Sequence, residues 1–324
     1  MTDIQKELYK LIKEIDEICT KNNIVYYLAG GSAIGALRHR GYIPWDDDMD
    51  IYMTRDNYLK FLEVCKTQLP PDRTVVCQEL NRNFHNNFAR YMDTSTTAIH
   101  INQLVHEKDP AGIIIDIFVL DPIPDDKKLQ EQYIKDFMLY SDIINPSSVY
   151  SFRWRTNLLR YFKYRILMKK HGIDYVLTKL ENKMFCYKEE DCSKYILRWG
   201  GIPFIFDKDM YGNGVRYQYE DTMLLCPDRS ADYLSWHYGD DWMFIPPHSG
   251  RERHTAIYSL NTPYTVIEKE AYKYYDINKT YRQFLRRKFL LFLGMYPWQI
   301  SKDISKSYLG IKLTLNSLYR LHLL

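Results

Sequence analysis

Four carboxylates crowd into five positions of this chain: Asp46, Asp47, Asp48 and Asp50, close behind a Gly30-Gly31-Ser32 turn. Like charges at contact distance raise one another's pKa values and resist burial unless a cation or a proton-transfer role absorbs the repulsion. A bound divalent metal is the simplest resolution. Met49, Ile51 and Met53 alternate with Asp48, Asp50 and Tyr52, the pattern of a strand with one buried face. The alternation sets Asp48 and Asp50 on the same face. Two carboxylates so arranged can share a hard, oxygen-ligated cation such as Mg²⁺ (or Mn²⁺), which keeps several waters and completes its shell from substrate phosphates. Asp46 and Asp47 precede the strand and read as weaker ligands.

Upstream, residues 24–28 form a short apolar strand that runs into Ala29, Gly30, Gly31 and Ser32, and residues 33–38 have helix-forming composition. A strand, a glycine turn and a helix start leave backbone N–H groups where a phosphate can be held, and a missing Cβ lets it approach closely. Gly30, Gly31 and Ser32 are therefore candidate phosphate-binding residues. Arg38, with His39 and Arg40, lies at the far end of that helix and is placed to neutralise or steer an anion. A glycine turn alone is only a turn, and an acidic run alone is a solvated loop. Their combination, with the acids alternating against apolar residues, predicts a catalytic metal site.

The turn, the link Arg-His-Arg-Gly-Tyr-Ile-Pro-Trp at 38–45 and the strand Asp-Asp-Asp-Met-Asp-Ile at 46–51 closely resemble the signature of the LicD family, to which fukutin-related proteins also belong. The resemblance implies an α/β (α+β) nucleotidyltransferase-like core, with a mixed sheet flanked by helices and a helical elaboration. It also implies a CDP-alcohol donor. Bacterial members are associated with moving phosphocholine from CDP-choline onto cell-surface glycans, animal relatives with moving ribitol phosphate from CDP-ribitol. Such a fold takes a third carboxylate from another strand. Residues 112–121 form an apolar run interrupted by Asp116, an acid too costly to bury unless paired or metal-bound, and the family pattern matches it. Asp121 reads as a structural turn before Pro122. Residues 88–97 resemble the family's strand ending in Asp and Thr, where Arg90 could meet a diphosphate and Thr96 or Thr97 a nucleotide hydroxyl. An exposed strand residue followed by a turn accounts for them equally well.

Residues 219–242, with 244–248, resemble a second family block: an apolar strand, a proline, a helix, then Tyr-Gly-Asp and Trp. Asp228 or Ser230 can cap that helix, Tyr233, Leu234 and His237 follow at helical spacing, and Gly239 ends it. A choline-handling enzyme calls for aromatic faces around the quaternary ammonium, and Trp199, Trp236 and Trp242 are candidates. With 29 Tyr, 14 Phe and 6 Trp in the chain, core packing is the default for any one of them.

At 324 residues and 46% apolar content, the chain is long for one domain. Four segments are expected: a catalytic core over 1–124, a helical insertion over 125–215, the second block completing the core over 216–265, and basic amphipathic C-terminal helices over 266–324. A coarse pass gives helices over 3–21 and 55–68, strands near 73–79, 88–92 and 113–120, then mostly helix. A formal net charge of +3 argues against a dedicated nucleic-acid binder. Six cysteines without CxxC spacing point to neither zinc nor a disulfide framework and fit a reducing cytoplasm. No secretory leader or spanning stretch is read. Residues 153–170 carry seven Lys or Arg and no acid among aromatic and aliphatic residues, and the theme returns at 282–298. Such segments fit interfacial helices on an anionic leaflet, at the inner face of the cell membrane, or helices packed on the core with a solvated basic edge.

These readings predict phosphoryl transfer, in which the protein positions groups and neutralises charge. Asp48, Asp50 and Asp116 are expected to hold one or two metal ions bridging the donor diphosphate, with Asp47 as a candidate general base. The resemblance implies a glycan hydroxyl, free or lipid-linked, as acceptor. Transfer of another CDP-alditol, nucleotidyl transfer to a small molecule, and a non-enzymatic carbohydrate-binding role are the alternatives.

Overall fold

Thr2 starts the first helix through a reciprocal cap: its hydroxyl accepts the Gln5 N–H and the Gln5 side chain accepts the Thr2 N–H, satisfying two donors a helix start leaves bare. Helix α1 (Asp3–Lys21) buries Leu8, Leu11, Ile12 and Ile15 and packs on the central sheet. The computed structural model of the protein describes residues 1–100, 109–144, 158–199, 202–247 and 256–267.

Strand β1 (Tyr27–Leu28) leads into the short helix α2 (Gly30–Ile34), which continues as one π-helical turn over Gly35–His39. Then follow β2 (Asp50–Thr54), α3 (Arg55–Gln68), β3 (Arg73–Val76), β4 (Ala89–Asp93), β5 (Thr97–His100) and β6 (Ile113–Ile123). After the helices α4 (Lys127–Ile144), α5 (Leu158–His171) and α6 (Ile173–Met184) come β7 (Lys194–Trp199) and β8 (Ile202–Asp207). Among the described residues seven of these strands make one sheet, in the order β1-β2-β6-β4-β3, with β7 and β8 attached through β6. Only β2 and β6 run parallel; the other pairs are antiparallel. The sheet is thus mixed and flanked by helices, the α/β class the sequence predicts.

Strand β6 is the hub. One edge pairs with β2, and the other pairs first with β4 and then, from Leu120 onward, with β7. Its last residue, Ile123, enters a second apolar cluster with Phe137, Val176 and Leu180 from the helices and Ile196 from β7. The helical lobe is therefore fastened to the far end of the same strand that carries Asp116. Beyond it, β9 (Val215–Tyr219) and β10 (Thr222–Cys226) form a hairpin, α7 (Ser230–Tyr238) returns toward α2, and β11 (Ala256–Ser259) pairs with β5.

Several expectations need correction. The acidic strand does not have one buried face: Ile51, Tyr52, Met53 and Thr54 are all buried, because helices cover the sheet on both sides. Asp121 is no turn. It lies inside β6, 1% exposed, in a two-pronged ion pair with Arg55. The second half is not mostly helix, since β7 to β11 lie there; polar residues break the alternation of these short strands. Within the segment expected as a helical insertion, β7 and β8 extend the main sheet. The C-terminal helices, from residue 268, and the start of the basic segment at 153–157 lie outside the described residues.

Candidate active site

Parallel pairing of β2 with β6 sets Asp50 opposite Asp116, and antiparallel pairing of β6 with β4 sets Asp116 opposite Arg90. Residues opposite one another on paired strands project from the same face, about 5 Å apart. The outcome is a row, Asp50-Asp116-Arg90, across the middle of the sheet. Arg90 Nε donates to Asp116 Oδ1 at 3.0 Å, and the guanidinium lies over the rings of Phe84 and Phe88. Its Nη1 is buried with no hydrogen-bond partner among the described residues, a donor in want of an acceptor.

Asp48 falls just before β2, yet the ladder reaches toward it, for the Asp116 N–H donates to the Met49 carbonyl at 3.3 Å. Burial, then the charges of Asp48, Asp116 and Asp46, hold the Asp50 carboxyl well above the usual carboxylate range, with Arg90 opposing them. Asp46 therefore joins Asp48, Asp50 and Asp116 in one acidic cluster. The charges of Asp47 and Asp48 are felt at Tyr258 of β11, whose pKa they raise together with burial. Gln5 of α1 fixes Asp46, donating to the carbonyls of Ile43 and Asp46 at 3.1 and 2.8 Å.

The glycine turn serves the site differently from the reading of it as a phosphate cradle. Gly30 sits at φ +50°, in the left-handed region that glycine adopts freely, and its N–H donates to Tyr233 Oη at 2.8 Å. It is not a vacant donor. Tyr233 passes the contact to Tyr52 Oη at 3.2 Å, and burial pushes its phenol up to about 12. A Cβ on Gly31 would lie 2.7 Å from Asp46 Oδ2, so the missing side chain makes room for that carboxylate. Ser32 Oγ accepts the Asp50 N–H at 3.0 Å and so positions the acid.

Two further candidates are engaged in holding loops. Arg38 Nη1 donates to the carbonyls of Trp242 and Phe244 at 2.8 and 2.9 Å. Thr97 Oγ1, fully buried, donates to the Thr262 carbonyl at 2.7 Å, and Thr96 Oγ1 closes the turn after β4. The second family block reaches the site through Tyr238, at the end of α7. Its hydroxyl lies 3.1 Å from where a Cβ on Gly30 would stand, and burial, Tyr233 and the charges of Asp50, Asp46 and Asp48 together raise its pKa. Sequence reasoning missed Tyr238, although the Tyr-Gly-Asp pattern contains it. Of the tryptophans, Trp236 packs against Phe206 with ring centroids 4.4 Å apart, Trp242 is half-buried against the main core, and Trp199 ends β7.

Among the described residues no three His, Cys, Asp or Glu side chains converge as a ready-made metal cage. The donor set nonetheless suits a divalent ion that takes one or two carboxylates and otherwise water and phosphate oxygens, because every acid acting on Asp50 offers hard oxygen and their mutual repulsion calls for a cation.

Residues 23–156, which hold the turn, the acidic run, Arg90 and Asp116, match the model of the LicD/FKTN/FKRP nucleotidyltransferase domain. The match to that domain covers 134 of the chain's 324 residues. The chain is 25% identical over 255 residues, 73% of its length and 89% of the relative's, to the lipopolysaccharide cholinephosphotransferase LicD of Haemophilus influenzae. Uncharacterized proteins of Rickettsia typhi and Rickettsia prowazekii are 44% and 42% identical over 57 residues, which is 18% of this chain and 18% and 21% of theirs.

Proposed function

We propose that the chain transfers phosphocholine from CDP-choline to a hydroxyl of a cell-surface glycan or of its lipid-linked precursor, releasing CMP. At the level of the family the supporting relative is a lipopolysaccharide cholinephosphotransferase. The observation that carries the reading is the row Asp50-Asp116-Arg90, in which two acids share a sheet face with a buried guanidinium whose Nη1 is unbonded.

In this reading Asp48 and Asp50 would hold a divalent cation, Mg²⁺ or Mn²⁺, with Asp116 completing the acidic face. When bound, such an ion neutralises charge on the donor diphosphate. Arg90 Nη1 donates to a diphosphate oxygen, while Nε stays on Asp116 and keeps the guanidinium in plane. The acceptor oxygen forms its bond to the phosphocholine phosphorus as the bond to CMP breaks, and the hydroxyl proton passes to a carboxylate. We assign that proton to Asp46, whose charge acts on Asp50, with Asp47 as the alternative. Tyr238 and Ser32 act as positioning residues around Gly30 and Asp50.

Asp50→Asn and Asp116→Asn remove charge with little change in volume, so transfer is expected to fall at least about a hundredfold while the fold persists. Product analysis reads the reaction. CMP with phosphocholine on the glycan supports the proposal; pyrophosphate released from a nucleoside triphosphate marks a nucleotidyltransferase and overturns it. Full activity in EDTA would remove the metal.

A further inference from the structure

Helix α5 carries a surface unconnected with the carboxylate row. Its sequence, Leu-Leu-Arg-Tyr-Phe-Lys-Tyr-Arg-Ile-Leu-Met-Lys-Lys-His, contains no acid. Tyr164 is buried and Leu167 and Met168 are half-buried in the lobe. On the same inner side Arg160 is neutralised by the buried Asp136. The outer side is unusual for a packed helix. Phe162 is 59% exposed and Ile166 68%, while Lys163, Arg165, Lys169 and Lys170 are exposed around them. At about 100° per residue, Ile166 lies about 40° from Phe162; Arg165 and Lys169 fall on one flank of the pair, Lys163 and Lys170 on the other. The described part of the lobe packs on the inner side and leaves Phe162 and Ile166 more than half exposed.

We infer that the outer face of α5 is a docking surface for an anionic lipid bilayer, with Phe162 and Ile166 inserted among the acyl chains and Lys163, Arg165, Lys169 and Lys170 on the headgroups. Charge complementarity selects this occupant. Two large apolar side chains framed on both flanks by cations on long flexible stems match a plane with an apolar interior and a negative skin. Among the described residues no helix is long and apolar enough to cross a membrane, so the contact is peripheral. The surface does not depend on which donor the site takes.

The test uses the full chain and vesicles of phosphatidylcholine with or without about 30% phosphatidylglycerol. In sedimentation the protein is expected to partition onto the anionic vesicles only, and to be released as salt is raised, because headgroup attraction fades beyond a Debye length. Replacing Lys163, Arg165, Lys169 and Lys170 together by Gln should weaken partition about a hundredfold or more, at about fivefold per cation. Phe162→Ser with Ile166→Ser should weaken it at least about tenfold. All six side chains are exposed, so the thermal midpoint should not move. As an independent readout, an environment-sensitive dye on Ile166→Cys should shift to the blue with anionic vesicles. Absence of partition by the parent, partition by both variants equal to the parent's, or a dye that stays in water would each overturn the proposal. So would a dimer that both variants dissolve without any lipid binding, since the face would then be covered by a second copy.

Discussion

Strand β6 carries two acids with opposite roles, and Asp121 gives the sharper test of how the fold is held. Its side chain is 1% exposed and Arg55's is 11%. Arg55 Nε and Nη2 meet the two carboxylate oxygens at 2.6 and 2.9 Å. Burial opposes the Arg55 cation, but Asp121 and then Glu79 outweigh it and raise its pKa. Asp121→Ala strands that cation. Breaking a buried pair from one side costs about 3–5 kcal/mol. Glu79, still 3.2 Å from Nη1, and the Phe185 ring, 4.1 Å from the guanidinium carbon, place the expected loss near the lower end, about 3 kcal/mol. In a chain of this size that lowers the thermal midpoint by roughly 4–5 °C. Urea unfolding followed by far-ultraviolet circular dichroism measures it. Replacing both partners, Arg55→Met with Asp121→Leu, leaves no stranded charge and should restore most of the loss. A single variant within about 1 kcal/mol of the parent, or a double variant no more stable than the single, refutes the reasoning. Asp116, 21% exposed, is the internal contrast: its Asn variant keeps an acceptor for Arg90 Nε and should lose far less stability than Asp121→Ala.

Gly112→Ala should unfold the protein or cost several kcal/mol in the same denaturation assay, because a Cβ there would stand 1.9 Å from the backbone carbonyl oxygen of Asp93 and neither strand can yield. Gly31→Ala meets only the end of the Asp46 side chain, so stability should change by less than about 1 kcal/mol while transfer falls; equal transfer would take Asp46 out of the site. Gln5→Ala removes a donor from the carbonyls of Ile43 and Asp46, the first of which keeps the Asp46 N–H at 3.0 Å, and is expected to cost about 1–3 kcal/mol. Arg38→Gln should hasten proteolytic cleavage within residues 239–247 while the thermal midpoint holds, since Arg38 ties two carbonyls of that loop.

The helices Asp3–Lys21 and Arg55–Gln68 were legible because 3.6-residue periodicity is a local signal, and both match the structure. The third acid, Asp116, was legible for a different reason: a charge within an apolar run has few physical excuses, and register brings it opposite Asp50. Asp121 stands in the same run and was misread, because its partner Arg55 lies 66 positions away and nothing local announces the pair. The same holds for the residues that position the site. Ser32 looked like a phosphate ligand because serine follows glycine in such turns, whereas its contact with the Asp50 N–H is created by the meeting of α2 with β2. Tyr238 comes near Gly30 from more than 200 positions away, and nothing local shows that the amide of Gln5, in the first turn of α1, anchors Asp46.

Strand β6 passes from Asp116 in the row to Ile123 in the core of the helical lobe. Seven residues of extended chain span about 23 Å, and every residue along that way is paired on at least one edge. It behaves as a stiff strut between the carboxylates and the lobe that bears α5. A molecule resting on a bilayer through α5 would carry its reaction centre at a set standoff from the lipid, so an acceptor sugar on a membrane carrier would be selected by its height above the surface as well as by its chemistry.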